Sequence, residues 1–241
     1  MSQDLRSELA PTGTLRAGIN TANFLLVTGR RDDGAPQGVA PDMANAVAER
    51  LGVQVAYVPY ETPGQLADDA TKGVWDIGLI GAEPARAEHI AFSAAYVEIE
   101  ATYLVSADSR IQAIADVDRP GMRIAVAARS AYDLYLTRNV QNAELVRVAG
   151  LNASYDLFVN EKLDALAGLR PRLMSDVEKL PGARLLDGKF TAVQQAIGTP
   201  RDRETGAAFL RDFVEEAKTS GLVGQFIERH QVKGLSVAPP A

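Results

Sequence analysis

Arg86 stands at the end of a segment, Trp-Asp-Ile-Gly-Leu-Ile-Gly-Ala-Glu-Pro-Ala-Arg at residues 75–86, whose residue types suit the capture of an anion. The order reads as a buried strand, a tight turn through Gly81, Ala82 and Glu83, one helical turn opened by Pro84, and an ordered return to Tyr96. A guanidinium offers a planar fork of donors that matches the two oxygens of a carboxylate. A helix start leaves N–H groups without intrahelical partners, and these favour the same anion. The chemistry expected here is a carboxylate held by Arg86 and by the amides of Gly81, Ala82 and Glu83. Taken alone, the segment is equally compatible with a solvated surface arginine. Glu83 also has two open readings, as an ion-pair partner of Arg86 or as the acid that meets a cationic group on a ligand.

Other chemistries find little support. Gly29 and Gly34 have the spacing of a phosphate loop, but Ala35-Pro36 follows where a lysine and a hydroxyl residue are needed. His89 and His230 lack the paired spacing of a zinc helix, so no metal is expected. The chain has no Gly-x-Ser-x-Gly elbow and no cysteine, and spacing alone nominates no general acid and base among its acidic residues. No catalytic residue and no cofactor is assigned. The net charge of −6 argues against a phosphate-backbone binder, so nucleic acid is not an expected partner.

The elements that must position Arg86 are legible in the hydrophobic pattern. At 241 residues and 46% hydrophobic content the chain can bury a substantial core. Residues 15–19 read as a strand, and 42–51 as a helix with Met43, Val47 and Leu51 on one face, ended by Gly52. Residues 53–58 read as a strand, 64–71 as a helix, and 75–80 as a strand apolar enough to be covered on both sides. Such alternation implies a doubly wound α/β lobe. A second set follows: strand 123–127, a helix from Ser130, strand 145–148, helix 153–161 and strand 163–167. Residues 97–105 and 190–197 are extended runs that carry the chain out and back. The expectation is an α/β protein of two lobes, the first formed by 1–104 and 195–241 and the second by 105–194. Phe209, Phe213 and Ala217 share the face of a helix that completes the first lobe. Residues 28–37 read as a mobile surface loop and 237–241 as a loose tail.

Four blocks of this sequence resemble the amino-acid type (family 3) solute-binding proteins of ABC importers. Thr14-Leu15-Arg16-Ala17-Gly18-Ile19-Asn20 resembles the family's first strand and binding loop. Gly38-Val39-Ala40-Pro41-Asp42-Met43 with Arg50-Leu51-Gly52 resembles its first helix. Pro84-Ala85-Arg86 and Ile90-Ala91-Phe92-Ser93 resemble its threonine-proline-glutamate-arginine and phenylalanine-serine signatures. Residues 209–222 and 226–230 resemble its closing helices, with Ser220-Gly221 between them. The resemblance implies a type II periplasmic binding protein-like fold, two doubly wound lobes on two hinge strands, with a small anionic or zwitterionic ligand bridging them. It also implies a non-catalytic monomer that serves an ABC permease outside the cytoplasmic membrane. Residues 1–11 carry charges where an export signal needs an apolar stretch, so either that signal was removed or this member stays inside.

By the same resemblance, ligand residues lie in the loops after strands. Asn20 and Asn23 match positions that often hold an acid and an aromatic; a pair of turn-forming asparagines is the other reading. Ser130 and Ala131 match a helix start that touches the ligand carboxylate, or else Ser130 is a plain cap with Asp133. Arg129 replaces a common glycine and either adds positive charge or points to water. Gly168, Leu169 and Arg170 stand where many amino-acid binders carry an aspartate for the ligand's ammonium, with Leu169 at the acid's place. An ammonium there would need a substitute acid, and otherwise the ligand lacks the amine. Arg170 either joins the anion site or begins the helix that follows. Gln194 ends the returning hinge strand and, like Tyr103, is a weaker candidate. Cyclohexadienyl dehydratases share this family's fold, which keeps an enzyme and a cytoplasmic ligand sensor as alternatives.

Overall fold

Leu5 and Leu9 are buried, and their spacing makes a helix of the charged amino-terminal stretch, α1 (Gln3–Leu9). The coordinates are a computed structural model that describes residues 3–241. β1 (Thr14–Asn20) buries Leu15, Ala17 and Ile19. β2 (Gly29–Arg30) and β3 (Pro36–Gln37) then pair antiparallel. Residues 28–37 are therefore a small hairpin and not an irregular loop, because Thr28 N donates to Gln37 O and Arg31 N to Ala35 O. α2 (Val39–Leu51) follows and is closed by Gly52 at φ 66°, a left-handed conformation that glycine adopts without penalty. β4 (Gln54–Tyr60) leads to α3 (Pro63–Asp68), whose start is fixed by a capping box between Thr62 and Gln65. β5 (Ile77–Gly81), α4 (Pro84–Ala87) and the long β6 (Ile90–Val105) come next.

The second α/β set starts at β7 (Arg123–Ala127) and α5 (Ala131–Asn139), then runs through β8 (Glu144–Val148) and α6 (Leu151–Asn160). It ends with β9 (Ala165–Leu169), α7 (Arg170–Val177) and β10 (Arg184–Leu185). The chain returns along β11 (Thr191–Pro200) to α8 (Glu204–Thr219), α9 (Leu222–Arg229) and β12 (Ser236–Val237). Two compact units result, Met1–Glu98 with Gln194–Ala241, and Ile99–Val193, and the chain passes between them in β6 and in β11.

In the first unit β1 is parallel to both β4 and β5, while β11 runs antiparallel to β5. β5 is thus flanked on both edges, and its side chains enter two cores, Ile77 and Leu79 with Met43 and Val47 of α2 and Ile80 with Leu66 of α3, so all five of its residues are buried. Helices α2, α8 and α9 pack their apolar faces on this sheet, with Met43, Val47, Leu210, Phe213 and Phe226 in one core. Asp76, fully buried, is the polar anchor of the unit. It accepts from Arg16 N, Nε and Nη2 at 2.9, 3.0 and 2.7 Å and from Arg203 Nη1 at 2.9 Å, which ties β1 to the start of α8. The carboxyl-terminal residues are held as well, contrary to a loose tail. β12 pairs with β6 through Ser236 and Glu98, Ala238 N donates to Tyr96 O at 3.1 Å, and Lys218 Nζ donates to Pro239 O at 2.8 Å.

In the second unit β7 is parallel to β8 and to β9, and β9 is antiparallel to the far half of β6. Leu104, Ala125, Phe158, Leu163, Leu166 and Leu173 form its core. Pairing with β6 from Leu166 to Leu169 extends β9 beyond residue 167, so Gly168 and Leu169 lie inside the strand and Arg170 opens α7.

Candidate functional site

Parallel strands place their carboxyl ends on one edge of a sheet, so Asn20 at the end of β1 and Gly81 at the end of β5 share an edge of the first unit. The turn after β1 is built by its two asparagines. Asn20 Oδ1 accepts from Ala22 N, and Asn23 Oδ1 accepts from Leu25 N, each at 3.2 Å. Asn23 is buried, and its carbonyl accepts from Leu26 N and Val27 N. Both amides thus spend an oxygen on the turn, as Asx turns do. The turn leaves Phe24 40% exposed. Its only signal in the sequence was an aromatic one residue beyond Asn23, and no reading of spacing nominated it.

Arg86 is not a solvated arginine, being only 6% exposed. α4 starts at Pro84 after Glu83, whose carbonyl accepts from Arg86 N at 2.9 Å and from Ala87 N at 3.0 Å. The guanidinium folds back over the turn, and Nη1 donates to Gly81 O at 2.7 Å. One donor of the fork therefore holds the loop's own backbone. The Ala82 amide departs from expectation because it donates to Gln194 O at 2.7 Å, an extension of the β5–β11 ladder. That N–H is committed to the sheet, which weakens Ala82 as an anion donor. Gln194 extends its own Nε2 to Glu98 Oε1 at 2.9 Å. Ser93, in the phenylalanine-serine segment, donates to Ala94 O and accepts from Ile197 N, so it fastens β6 to β11.

In the second unit the loop after β7 carries Arg129 in a left-handed conformation, φ 60°, the region where glycine is at ease. Its N–H donates to Asp133 Oδ2 at 2.7 Å. Ser130 caps α5 by accepting from Asp133 N at 3.1 Å, and Arg147 Nε donates to the other Asp133 oxygen at 2.9 Å. Ala131, the first residue of α5, is buried. The cap is thus realised, and Asp133 braces it from below. Burial pushes the hydroxyl of neighbouring Tyr132 up to about 12, against a hydrogen bond to Ser130, so the phenol is protonated at neutral pH. Nearby, Phe190 N donates to Ala101 O, and the Phe190 ring lies 4.6 Å from Tyr103 and 6.0 Å from Tyr135. Leu169 is buried at the end of β9, and a side chain at Gly168 would meet Leu173 at 2.9 Å.

Arg170 does not stand as a free positive charge. Its Nε donates to Glu100 Oε2 at 2.9 Å, and Nη2 is bonded to Gly188 O. The Arg170 guanidinium, with Lys189 at 3.3 Å adding to it, holds the Glu100 carboxyl below its ordinary range. A recess of about 570 Å³ in the same unit is lined by residues such as Met122 and Asp164. These precede β7 and β9, so the recess lies at the opposite edge from Ser130. Among the described residues no group of three or more His, Cys, Asp or Glu is placed to hold a metal ion, and no helix is long and apolar enough to cross a membrane.

Residues 16–232 match the family model of bacterial extracellular solute-binding proteins, family 3. Cyclohexadienyl dehydratase from Pseudomonas aeruginosa is 25% identical over 223 residues, spanning 90% of this chain and 82% of that protein. The P235GK mutant of ArgBP from T. maritima superposes with a TM-score of 0.75 at 21% identity, covering 95% of this chain and 100% of the other. The ancestral amino acid-binding protein AncCDT-1, a precursor of cyclohexadienyl dehydratase, superposes with a TM-score of 0.74 at 21% identity, covering 94% and 99%. These structural likenesses show the fold, that of the type II periplasmic binding proteins.

Proposed function

We propose that this chain, which belongs to the bacterial extracellular solute-binding proteins of family 3, captures a small carboxylate-bearing metabolite for an ABC-type importer. The metabolite is an amino acid or a related organic acid. The observation that carries this reading is the buried guanidinium of Arg86, at the edge where β1 and β5 end. A buried guanidinium is costly without anionic or carbonyl partners, and the bond from Nη1 to Gly81 O holds its planar fork in place at this edge. The planar fork suits a carboxylate, and the exposed ring of Phe24 on the neighbouring turn offers apolar surface to the ligand body. The partner is an ABC permease, the site of work is outside the cytoplasmic membrane, and the chain acts as a monomer.

A thermal-shift panel of the common α-amino acids and matched amine-free acids tests the reading. Ligand at a hundred times its dissociation constant adds about 2.7 kcal/mol, which raises the melting temperature by roughly 5–10 °C for a chain of this size. Arg86→Lys keeps the charge but loses the fork, and it is expected to remove most of that shift. A wild-type protein stabilised by no carboxylate overturns the proposal.

The similarity to cyclohexadienyl dehydratase over 90% of the chain supports one second reading, decarboxylative elimination from prephenate or arogenate. That reaction needs a positioned proton donor. Leu169 fills the stretch where an acid would be sought, so Glu83 is the donor this reading requires. Phenylpyruvate formed from prephenate by the wild type and not by Glu83→Gln would establish the enzyme over the binding protein.

A further inference from the structure

We infer that Glu98 receives a cationic nitrogen of the bound solute, and so selects an amine-bearing carboxylate over an amine-free one. This rests on the solute-binding reading above. Leu169 stands where the family resemblance implies an aspartate, so a ligand cation needs its counter-charge elsewhere.

Glu98 meets that need by position. β11 lies between β5 and β6 in the sheet order, and the pairing of Gln195 with Gly81 sets Gln194 beside Ala82. Ala82 N donates to Gln194 O at 2.7 Å, and Gln194 Nε2 donates to Glu98 Oε1 at 2.9 Å. Glu98 is therefore one hydrogen-bonded side chain away from the loop that carries Arg86. Neighbouring strands lie about 4.8 Å apart, so the β5 and β6 backbones are roughly 10 Å apart across β11.

Glu98 meets it by charge as well. The residue is half-buried, and no Lys, Arg or His among the described residues forms an ion pair with it. Glu100, two residues along the same strand, is held by Arg170 at 2.9 Å and Lys189 at 3.3 Å. The Gln194 amide orients the Glu98 carboxylate without cancelling its charge, since a carboxamide is a neutral donor. Pairing of Ser236 with Glu98 fixes the backbone from the other side. An oriented carboxylate without an ion-pair partner, one side chain from the loop of a buried guanidinium, offers opposite charges suited to a zwitterion.

The test measures binding by calorimetry for L-glutamine, L-arginine and their α-amine-free analogues, on wild type, Glu98→Gln and Glu83→Gln. Glu98→Gln keeps the shape and the amide contact, and an unchanged melting temperature reports that it folds. If the ligand's α-ammonium faces Glu98, the variant binds both amino acids about tenfold or more weakly and the amine-free acids unchanged. If a side-chain cation faces it, L-arginine and its amine-free analogue weaken and L-glutamine does not. Either outcome supports the assignment. A wild type that binds only amine-free acids overturns it while leaving the carboxylate-binding reading intact. Equal changes for cationic and non-cationic ligands in Glu98→Gln overturn it too, as does a shift in preference confined to Glu83→Gln. A wild type that binds no carboxylate in the wider panel removes the solute-binding reading and this inference with it.

Discussion

Replacing Arg129 by glycine separates backbone strain from charge at the start of α5. An L-residue held at φ 60° carries a cost of about 1–2 kcal/mol relative to right-handed backbone. Glycine removes that cost but enlarges the unfolded ensemble, which returns about 0.4–1 kcal/mol. The hydrogen bond from residue 129 N to Asp133 Oδ2, 2.7 Å, survives because glycine keeps its N–H. The net expectation for Arg129→Gly is a gain of roughly 0.5–1 kcal/mol, or about 1–4 °C in melting temperature. Arg129→Ala keeps the strained backbone and loses the guanidinium, so it isolates the side chain. Differential scanning calorimetry on the three proteins should rank glycine above alanine. If Arg129 adds positive charge to the anion site, both variants bind carboxylates more weakly by the same factor, although they differ in stability. A glycine variant that melts below the alanine variant would refute the strain argument, because it would mean the left-handed backbone is not what residue 129 contributes.

Two further expectations concern the frame that holds the first unit. Asp76→Ala leaves Arg16 and Arg203 facing an empty, fully buried site and should cost about 3–5 kcal/mol, lowering the melting temperature by about 10 °C; a drop of only a degree or two would mean that water replaces the carboxylate there. Deleting residues 236–241 removes β12 and the bonds from Ala238 and Lys218, and should lower stability by roughly 1–2 kcal/mol in a urea titration. An unchanged midpoint would restore the loose-tail reading of those residues.

Much of the element order is legible from local rules. The unbroken apolar run of β5 goes with side chains that enter two helix-covered cores, and Gly52, the Thr62–Gln65 box and the Ser130–Asp133 cap mark helix ends by chemistry contained within a few residues. Pro84 and Arg86 announced a one-turn helix for the same reason. Elements without a local signal escaped. β12 is two residues long and exists because the edge of β6 offers it partners. The small hairpin of β2 and β3 depends on paired backbone groups that composition does not advertise. β9 runs two residues past its apolar stretch because β6 continues beside it.

The candidate site divides along the same line. Residue type and spacing determined, without coordinates, that a carboxylate clamp at Arg86 was worth seeking and that Ser130 would open a helix, while the family resemblance implied that Leu169 stands in the place of an acid. They could not determine which charges cancel, because ion pairing acts through space and ignores separation along the chain. Arg170 is neutralised by Glu100 from 70 residues away, and Glu98 is joined by Gln194 from 96 residues away. Only the tertiary structure, by laying β11 between β5 and β6, withdrew the Ala82 amide into the sheet and set an uncompensated carboxylate one side chain from the arginine loop.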